Sequence, residues 1–321
     1  MIRGRFAPTP SGECHIGNAR TALLAWLQVR QAGGEFVLRL EDIDRARCKP
    51  VYAKQMINDL LWLGIDWDEG PGASGPYAPY EQSERTHKYQ RAFDQLNEEG
   101  WLYPCYCRRK DLKALANAPH GLLSEGPAYP GICRHLTPEE RKIKAKEKQP
   151  SYRFALPDKP VHFNDGIMGE QFYPAGSGGD FVVRRADGFM SYQLAVVVDD
   201  AGMRMTDVFR GADLLDSTPR QILLYQALSL PVPRFIHVPL LYGPDGRRLS
   251  KRHGTAITIH NIRSAGVQPE KVVGILAYIS GLIDRPEAVK AKELVSEFNL
   301  IKIPKQPVVL SMPMLRSLSH A

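Results

Sequence analysis

Two separated clusters of residues in this chain could handle phosphate. The first is Pro8-Thr9-Pro10-Ser11-Gly12-Glu13-Cys14-His15-Ile16-Gly17-Asn18-Ala19-Arg20, where strand-forming residues give way to helical periodicity. A helix N-terminus offers unpaired backbone N–H groups and the positive end of a dipole, so phosphate can settle there. Gly17 lets a nucleotide approach the backbone, and His15 can donate a hydrogen bond to a phosphate oxygen. The second cluster is the turn Gly243-Pro244-Asp245-Gly246 followed by Arg247-Arg248-Leu249-Ser250-Lys251-Arg252-His253-Gly254. A loop that places Lys251 beside a leaving pyrophosphate would offset the charge that grows in the transition state. Each cluster alone has an ordinary reading, as a tight turn with a locally capping His or as a solvated basic loop. Together, in this order, they point to nucleotide chemistry.

A third group is made of sulfur. Cys105-Tyr106-Cys107 and Cys133 could supply three thiolates of a tetrahedral zinc site, closed by one nitrogen or oxygen donor. His135 is the usual type of fourth ligand. Buried free cysteines are the plain alternative. Cys14 reads as a loop residue rather than a nucleophile.

The elements around these residues follow from pattern. Ile2 to Ala7 is a strand candidate that runs into the first phosphate cluster, and Asn18 to Gln31 repeats apolar residues at helical spacing until Gly33-Gly34. Phe36 to Leu40 follows as a strand, which gives the strand–helix–strand unit of a parallel sheet. Met56 to Leu63 and Ser83 to Glu99 read as helices. Phe181 to Arg184, Ala195 to Val198 and Phe235 to Leu241 read as strands, and Pro269 to Ile283 as a helix. From Pro304 the proline punctuation predicts extended chain. Residues 101–160 differ in character, with three cysteines and the charge-dense run Glu139 to Lys148, and read as an insertion.

Bulk properties bound the answer. The 321 residues, 43% hydrophobic and 24% charged, suit a globular protein. A net charge of +7 favours a polyanionic partner. No window approaches a membrane span, no signal peptide precedes the patterned sequence, and five unevenly spaced cysteines fit a reducing compartment. A cytoplasmic protein with no membrane partner is expected.

The motifs resemble a known family. Arg5-Phe6-Ala7-Pro8, Ser11-Gly12 and His15-Ile16-Gly17 with Arg20 resemble the HIGH-motif region of glutamate-specific class I aminoacyl-tRNA synthetases, and Arg248 to Arg252 resembles their KMSKS loop. Asn18 stands where the motif nominally has a second His. The resemblance covers about residues 3–285. It implies an α/β fold: a Rossmann-type class I synthetase catalytic domain with a zinc-binding insertion and a C-terminal helical stem-contact region. It implies ATP with Mg²⁺ as substrate, His15 and Lys251 as catalytic residues, and His15, Gly17, Asn18 and Lys251 as the ATP contacts.

Glutamate carries two carboxylates and an ammonium, so its pocket calls for guanidinium groups and a carboxylate. By resemblance Arg5, Phe6, Ala7, Pro8, Thr9, Glu41, Tyr192 and Arg210 would line it. Arg5 and Glu41 each close a strand candidate, and ligands of doubly wound sheets bind at such carboxyl ends. Val196 stands where full-length glutamyl enzymes commonly have Asn. No covalent nucleophile is implied, since the substrate carboxylate itself attacks the α-phosphorus.

Cys-x-Cys followed by Tyr-x-x-x-Cys resembles the glutamyl-queuosine tRNA(Asp) synthetases. That likeness implies one structural zinc per chain on Cys105, Cys107, Tyr129 and Cys133, with His135 as the alternative fourth ligand. The expected division is 1–100, first half of the catalytic domain; 101–160, insertion; 161–243, second half; and 244–321, KMSKS-type loop and stem-contact-like region, with no anticodon-binding domain. In this layout glutamate, activated without tRNA, would go to the queuosine base in the anticodon loop of tRNA(Asp), an unpaired loop with accessible bases. A monomer is expected. The alternatives are a truncated glutamyl-tRNA synthetase that charges an acceptor end, and a non-catalytic RNA-binding paralogue.

Overall fold

The computed structural model describes residues 1–108, 128–247, 249 and 258–319. Arg109, Lys110, Arg248 and the run Ser250 to Gly254, with Lys251, lie outside the described residues. The centre is a four-stranded parallel sheet ordered Glu35–Leu38, Arg3–Phe6, Asp207–Gly211, Arg234–Val238. Helix Ile16–Gln31 joins the first two strands in sequence, and helix Thr218–Ala227 joins the last two. Strand order therefore reverses between Arg3–Phe6 and Asp207–Gly211, and the crevice at the carboxyl ends of those two strands is the natural ligand position of such a sheet.

Helix Ile16–Gln31 buries Leu23, Leu24, Leu27 and Val29. The C-terminal helices Ile259–Ser264 and Pro269–Ile279 share its core through Ile259, Ile262, Leu276 and Ile279. Arg20 pins the two layers, donating from Nε to Ser280 Oγ at 2.9 Å and from Nη1 to the Pro239 carbonyl at 2.7 Å.

In sequence between the two halves of the parallel sheet come an antiparallel sheet ordered Leu102–Cys105, Ser151–Phe154, Phe181–Arg184 and the hairpin Val161–Asp165/Gly169–Tyr173, whose first strand contacts Arg234–Val238. The third strand of the antiparallel sheet lies beyond residue 160, so the insertion's sheet crosses the boundary set by composition. The charge-dense run forms helix Pro138–Glu147, closed by a Thr137/Glu140 capping box.

Two sequence expectations are corrected. Ala195 to Val198 is not a strand but part of helix Tyr192–Gly202. The consecutive valines favour a strand locally. However, the Ser191 hydroxyl accepts from the Leu194 amide and caps a helix. Gln193 to Val197 are all buried, so no polar face displays the 3.6 period. The tail beyond Pro304 is not simply extended: Ser311 caps helix Met312–Ser317, and Pro313 falls in its first turn, where its missing N–H is not needed.

Candidate active site

The crevice at the switch point is a cavity of about 620 Å³ lined by Arg5, Phe6, Ala7, Pro8, Thr9, His15, Gly17, Asn18, Glu41, Tyr192 and Arg210, with Leu249 at its edge. Every residue assigned above to glutamate or ATP thus borders one space, except Lys251, which lies outside the described residues. His15 is the N-cap of helix Ile16–Gln31 and uses no side-chain cap. A Cβ placed on Gly17 would meet nothing within 4 Å, so its open side faces free space at a helix N-terminus. Cys14 is fully buried, and burial together with the charge of Asp59 pushes its thiol up to about 12. A thiol so held makes no nucleophile.

Two of the lining residues, Arg5 and Glu41, belong to a buried ionic network. Arg5 grips Asp200 with two bonds, Nε to Oδ1 at 3.1 Å and Nη2 to Oδ2 at 3.2 Å. Arg39 donates from Nη1 to Asp200 Oδ1 at 2.7 Å and from Nη2 to Glu41 Oε1 at 3.2 Å. Arg85 reaches Asp199 at 2.5 Å, and Tyr89 and Gln82 donate to the same carboxylate. The guanidinium groups of Arg5, Arg39 and Arg85 thus face the carboxylates of Glu41, Asp199 and Asp200. Burial opposes ionisation of Asp200, but Arg39 and Arg5 hold its carboxyl below the usual range. Burial pushes Glu41 above it, against Arg39 and Arg5.

Arg210 differs from the other three. Its partners are His237, Gln221, Tyr192, Thr218 and the Leu214 carbonyl, and among the described residues it meets no carboxylate within 4.0 Å. A buried guanidinium at the cavity wall with no carboxylate against it among the described residues has the chemistry to receive an anion. Asp199, Asp200, Arg39, Gln221 and His237 escaped the sequence reading. Asp199 and Asp200 follow directly on the segment expected as a strand and belong instead to helix Tyr192–Gly202, and a single buried His has no signature before its partners are known. Val196 is buried in the apolar cluster behind the cavity and borders no ligand space.

The segment that follows the second phosphate cluster meets the first. Thr258 Oγ1 donates to Glu13 Oε2 at 2.7 Å, the Ile259 amide donates to the Cys14 carbonyl at 2.8 Å, and His15 and Thr258 form a β-bridge. The residue that re-enters the described chain after the basic loop therefore lies against the N-cap of the first helix.

In the insertion, the Sγ atoms of Cys105, Cys107 and Cys133 lie within 4.8 Å of one another. Tyr129 Oη is 3.4 Å from Cys105 Sγ and 3.4 Å from Cys107 Sγ, and Cys107 Sγ is 3.7 Å from Cys133 Sγ. A zinc tetrahedron with arms of about 2.3 Å to sulfur and about 2.0 Å to oxygen has edges of roughly 3.8 and 3.5 Å. The donor set fits that size. His135 is exposed and outside the cluster. Arg153 stacks 3.7 Å over the Tyr129 ring and donates to Cys105 Sγ at 3.3 Å. Burial opposes ionisation of Cys105, but Tyr129 and Arg153 favour it, whereas burial and the neighbouring cysteines hold the Tyr129 hydroxyl in its protonated form.

A second cavity of about 640 Å³ runs from Tyr129 and Arg153 to Thr9, Glu41 and Tyr192, and so opens beside the first.

A parallel sheet with its ligand crevice at the switch point, a helix N-terminus at one end and paired arginines at the other defines a nucleotide-dependent acid-activating enzyme. The family model for tRNA synthetases class I (E and Q), catalytic domain, matches residues 1–315, and the chain belongs to that family. It is 63% identical over 320 residues to the Glutamyl-Q tRNA(Asp) synthetase of Symbiobacterium thermophilum, covering 99% of both chains. It is 49% identical to the Glutamyl-Q tRNA(Asp) synthetase of Nitratidesulfovibrio vulgaris, covering 96% of this chain and 95% of the other. The crystal structure of a glutamate tRNA ligase from Elizabethkingia meningosepticum, in complex with its amino acid, matches with a TM-score of 0.86 at 30% identity, covering 99% of this chain and 68% of that one. No helix among the described residues is long and apolar enough to cross a membrane.

Proposed function

We propose that this chain uses ATP to convert L-glutamate to glutamyl-adenylate without tRNA, then transfers the glutamyl group to the queuosine base at the wobble position of tRNA(Asp). The observation that carries the activation step is Arg210, a buried guanidinium at the switch-point crevice whose partners among the described residues are all neutral. It suits the side-chain carboxylate of glutamate. Glu41, whose Oε2 has no hydrogen-bond partner among the described residues, suits the ammonium. The α-carboxylate is then free to attack the α-phosphorus. A carboxylate O–P bond forms, the bond from the α-phosphorus to the bridging oxygen breaks, and pyrophosphate leaves. Arg5, Phe6, Ala7, Pro8 and Thr9 shape the glutamate end, and His15, Gly17 and Asn18 meet the phosphates at the helix N-terminus. Lys251 is assigned to the leaving pyrophosphate on sequence alone, and bound Mg²⁺ would neutralise phosphate charge.

The choice of acceptor rests on the near full-length likeness to the two relatives of that name. An acceptor base seated in the second cavity would face the adenylate past Thr9, Glu41 and Tyr192. Cys105, Cys107, Tyr129 and Cys133 would hold one zinc, which ties the loops of the insertion together. We place the protein in the cytoplasm as a monomer.

ATP–pyrophosphate exchange with glutamate and no tRNA tests the first half. Transfer of labelled glutamate to tRNA(Asp) with and without queuosine tests the second. Exchange that needs tRNA, or label appearing on the acceptor end of tRNA(Glu), would overturn the reading.

A further inference from the structure

We propose that Asp165 and His237, neither of which borders the ligand cavity, are positioning residues that aim Arg210 at the carboxylate it binds. The inference rests on the reading of Arg210 as the glutamate-binding arginine. A guanidinium can only donate, so where Arg210 Nε meets His237 Nε2 at 2.9 Å the ring nitrogen must offer its lone pair. The ring proton is then on Nδ1, 2.6 Å from Asp165 Oδ2. The other tautomer would set N–H against N–H. Burial holds His237 neutral, with its pKa lowered to about 4; Arg210 and Arg5 add to that effect and Asp165 opposes it.

Asp165 is itself fixed. Its Oδ1 accepts from the amides of Ile167 at 3.0 Å, Met168 at 2.9 Å and His237 at 3.2 Å. Gly166 donates its amide to the Phe235 carbonyl at 2.9 Å, and a Cβ there would lie 2.8 Å from Ile236 Cγ1. The hairpin turn therefore rests directly on the strand that carries His237.

The other N–H groups of Arg210 are sorted by distance. Gln221 Oε1 at 2.8 Å and Thr218 Oγ1 at 2.9 Å hold it from behind. The contacts to Tyr192 Oη and the Leu214 carbonyl are both 3.4 Å, and both partners border the cavity. Those two long bonds are the ones a bound carboxylate can replace, while the short ones and His237 keep the fork from turning.

Two measurements, the second on three variants, decide the matter. Nitrogen NMR of the histidine ring should show Nδ1 protonated and Nε2 bare from pH 8 to 5; a protonated Nε2 would overturn the proposal. In glutamate-dependent ATP–pyrophosphate exchange, His237→Leu should raise the KM for glutamate by roughly 10- to 100-fold, the effect of leaving a buried donor unpaired, with the KM for ATP unchanged. Gln can offer an oxygen near the position of Nε2, so His237→Gln should recover most of that loss, to within about fivefold of the parent. Asp165→Asn removes the demand for one tautomer while keeping an oxygen for the turn amides, and should raise the glutamate KM selectively. A variant that merely folds poorly would lose kcat and leave KM alone, and equal KM values for all variants would sink the idea. If the parent shows no exchange, the functional reading fails, and the NMR measurement still decides the tautomer.

Discussion

The Ile259 amide donates to the Cys14 carbonyl at 2.8 Å, joining the segment just after the basic loop to the segment just before the first helix. Thr258 Oγ1 strengthens the seam by donating to Glu13. Thr258→Val keeps the volume and removes both the donor to Glu13 and the helix cap that accepts from the Asn261 amide. It should cost about 1 kcal/mol of stability, and it should slow ATP–pyrophosphate exchange with little change in the KM for glutamate. An exchange rate equal to that of the parent would show that the seam does not place the loop.

Asp200 serves two buried guanidinium groups, so its loss leaves both without their shared partner. Asp200→Asn should destabilise the fold by roughly 3–5 kcal/mol, the range for breaking a buried ion pair from one side. Urea unfolding measures it. A change of only a few tenths would mean that Glu41 and Asp199 suffice.

Asp59 is buried, neither of its carboxylate oxygens has a hydrogen-bond partner among the described residues, and burial raises its pKa to about 6 despite His260 and Arg263. The sign follows from proton binding: between pH 3.8 and about 6 the folded chain holds the proton that the unfolded chain has lost. This carboxylate therefore lowers stability as pH rises through that window. Asp59→Asn should stabilise the protein at pH 8 by up to about 3 kcal/mol, and the gain should shrink towards zero near pH 4. Thermal melts at both pH values check it; a gain that does not depend on pH would point to packing rather than charge.

The cysteine cluster predicts a metal count. Purified protein should contain about one zinc per chain, and Cys105→Ser/Cys107→Ser should contain none. Tyr129→Phe removes only the oxygen donor and should bind zinc more weakly in chelator competition. Unchanged zinc affinity in that variant would assign the fourth position to another donor.

How much of this was legible beforehand depends on range. The strand–helix–strand opening, its loop and the helix N-terminus are set by residues within about 40 positions of each other, where periodicity and turn chemistry act directly. Helix Tyr192–Gly202 was misread because a helix buried on every side shows no polar stripe, and its valines speak for a strand. The tail helix was hidden by a proline that a first turn accepts.

By itself the sequence set out the candidate inventory: His15, Gly17 and Asn18 proposed for phosphate, Arg5, Glu41 and Arg210 proposed, by resemblance, for an acid, and three cysteines proposed for a metal. Residue type and local spacing fix what a group can donate, accept or bind. Only the tertiary structure decided which of these groups are already satisfied. Arg5 lies against Asp200 and Arg39 against Glu41, while Arg210 has neutral partners and is aimed by His237 and Asp165 from the strand and hairpin behind it. It also set Tyr129 beside the cysteine sulfurs and left His135 outside them. Such pairings join positions far apart in the chain, and they exist because burial forces each polar group to find a partner in whatever element packs against it.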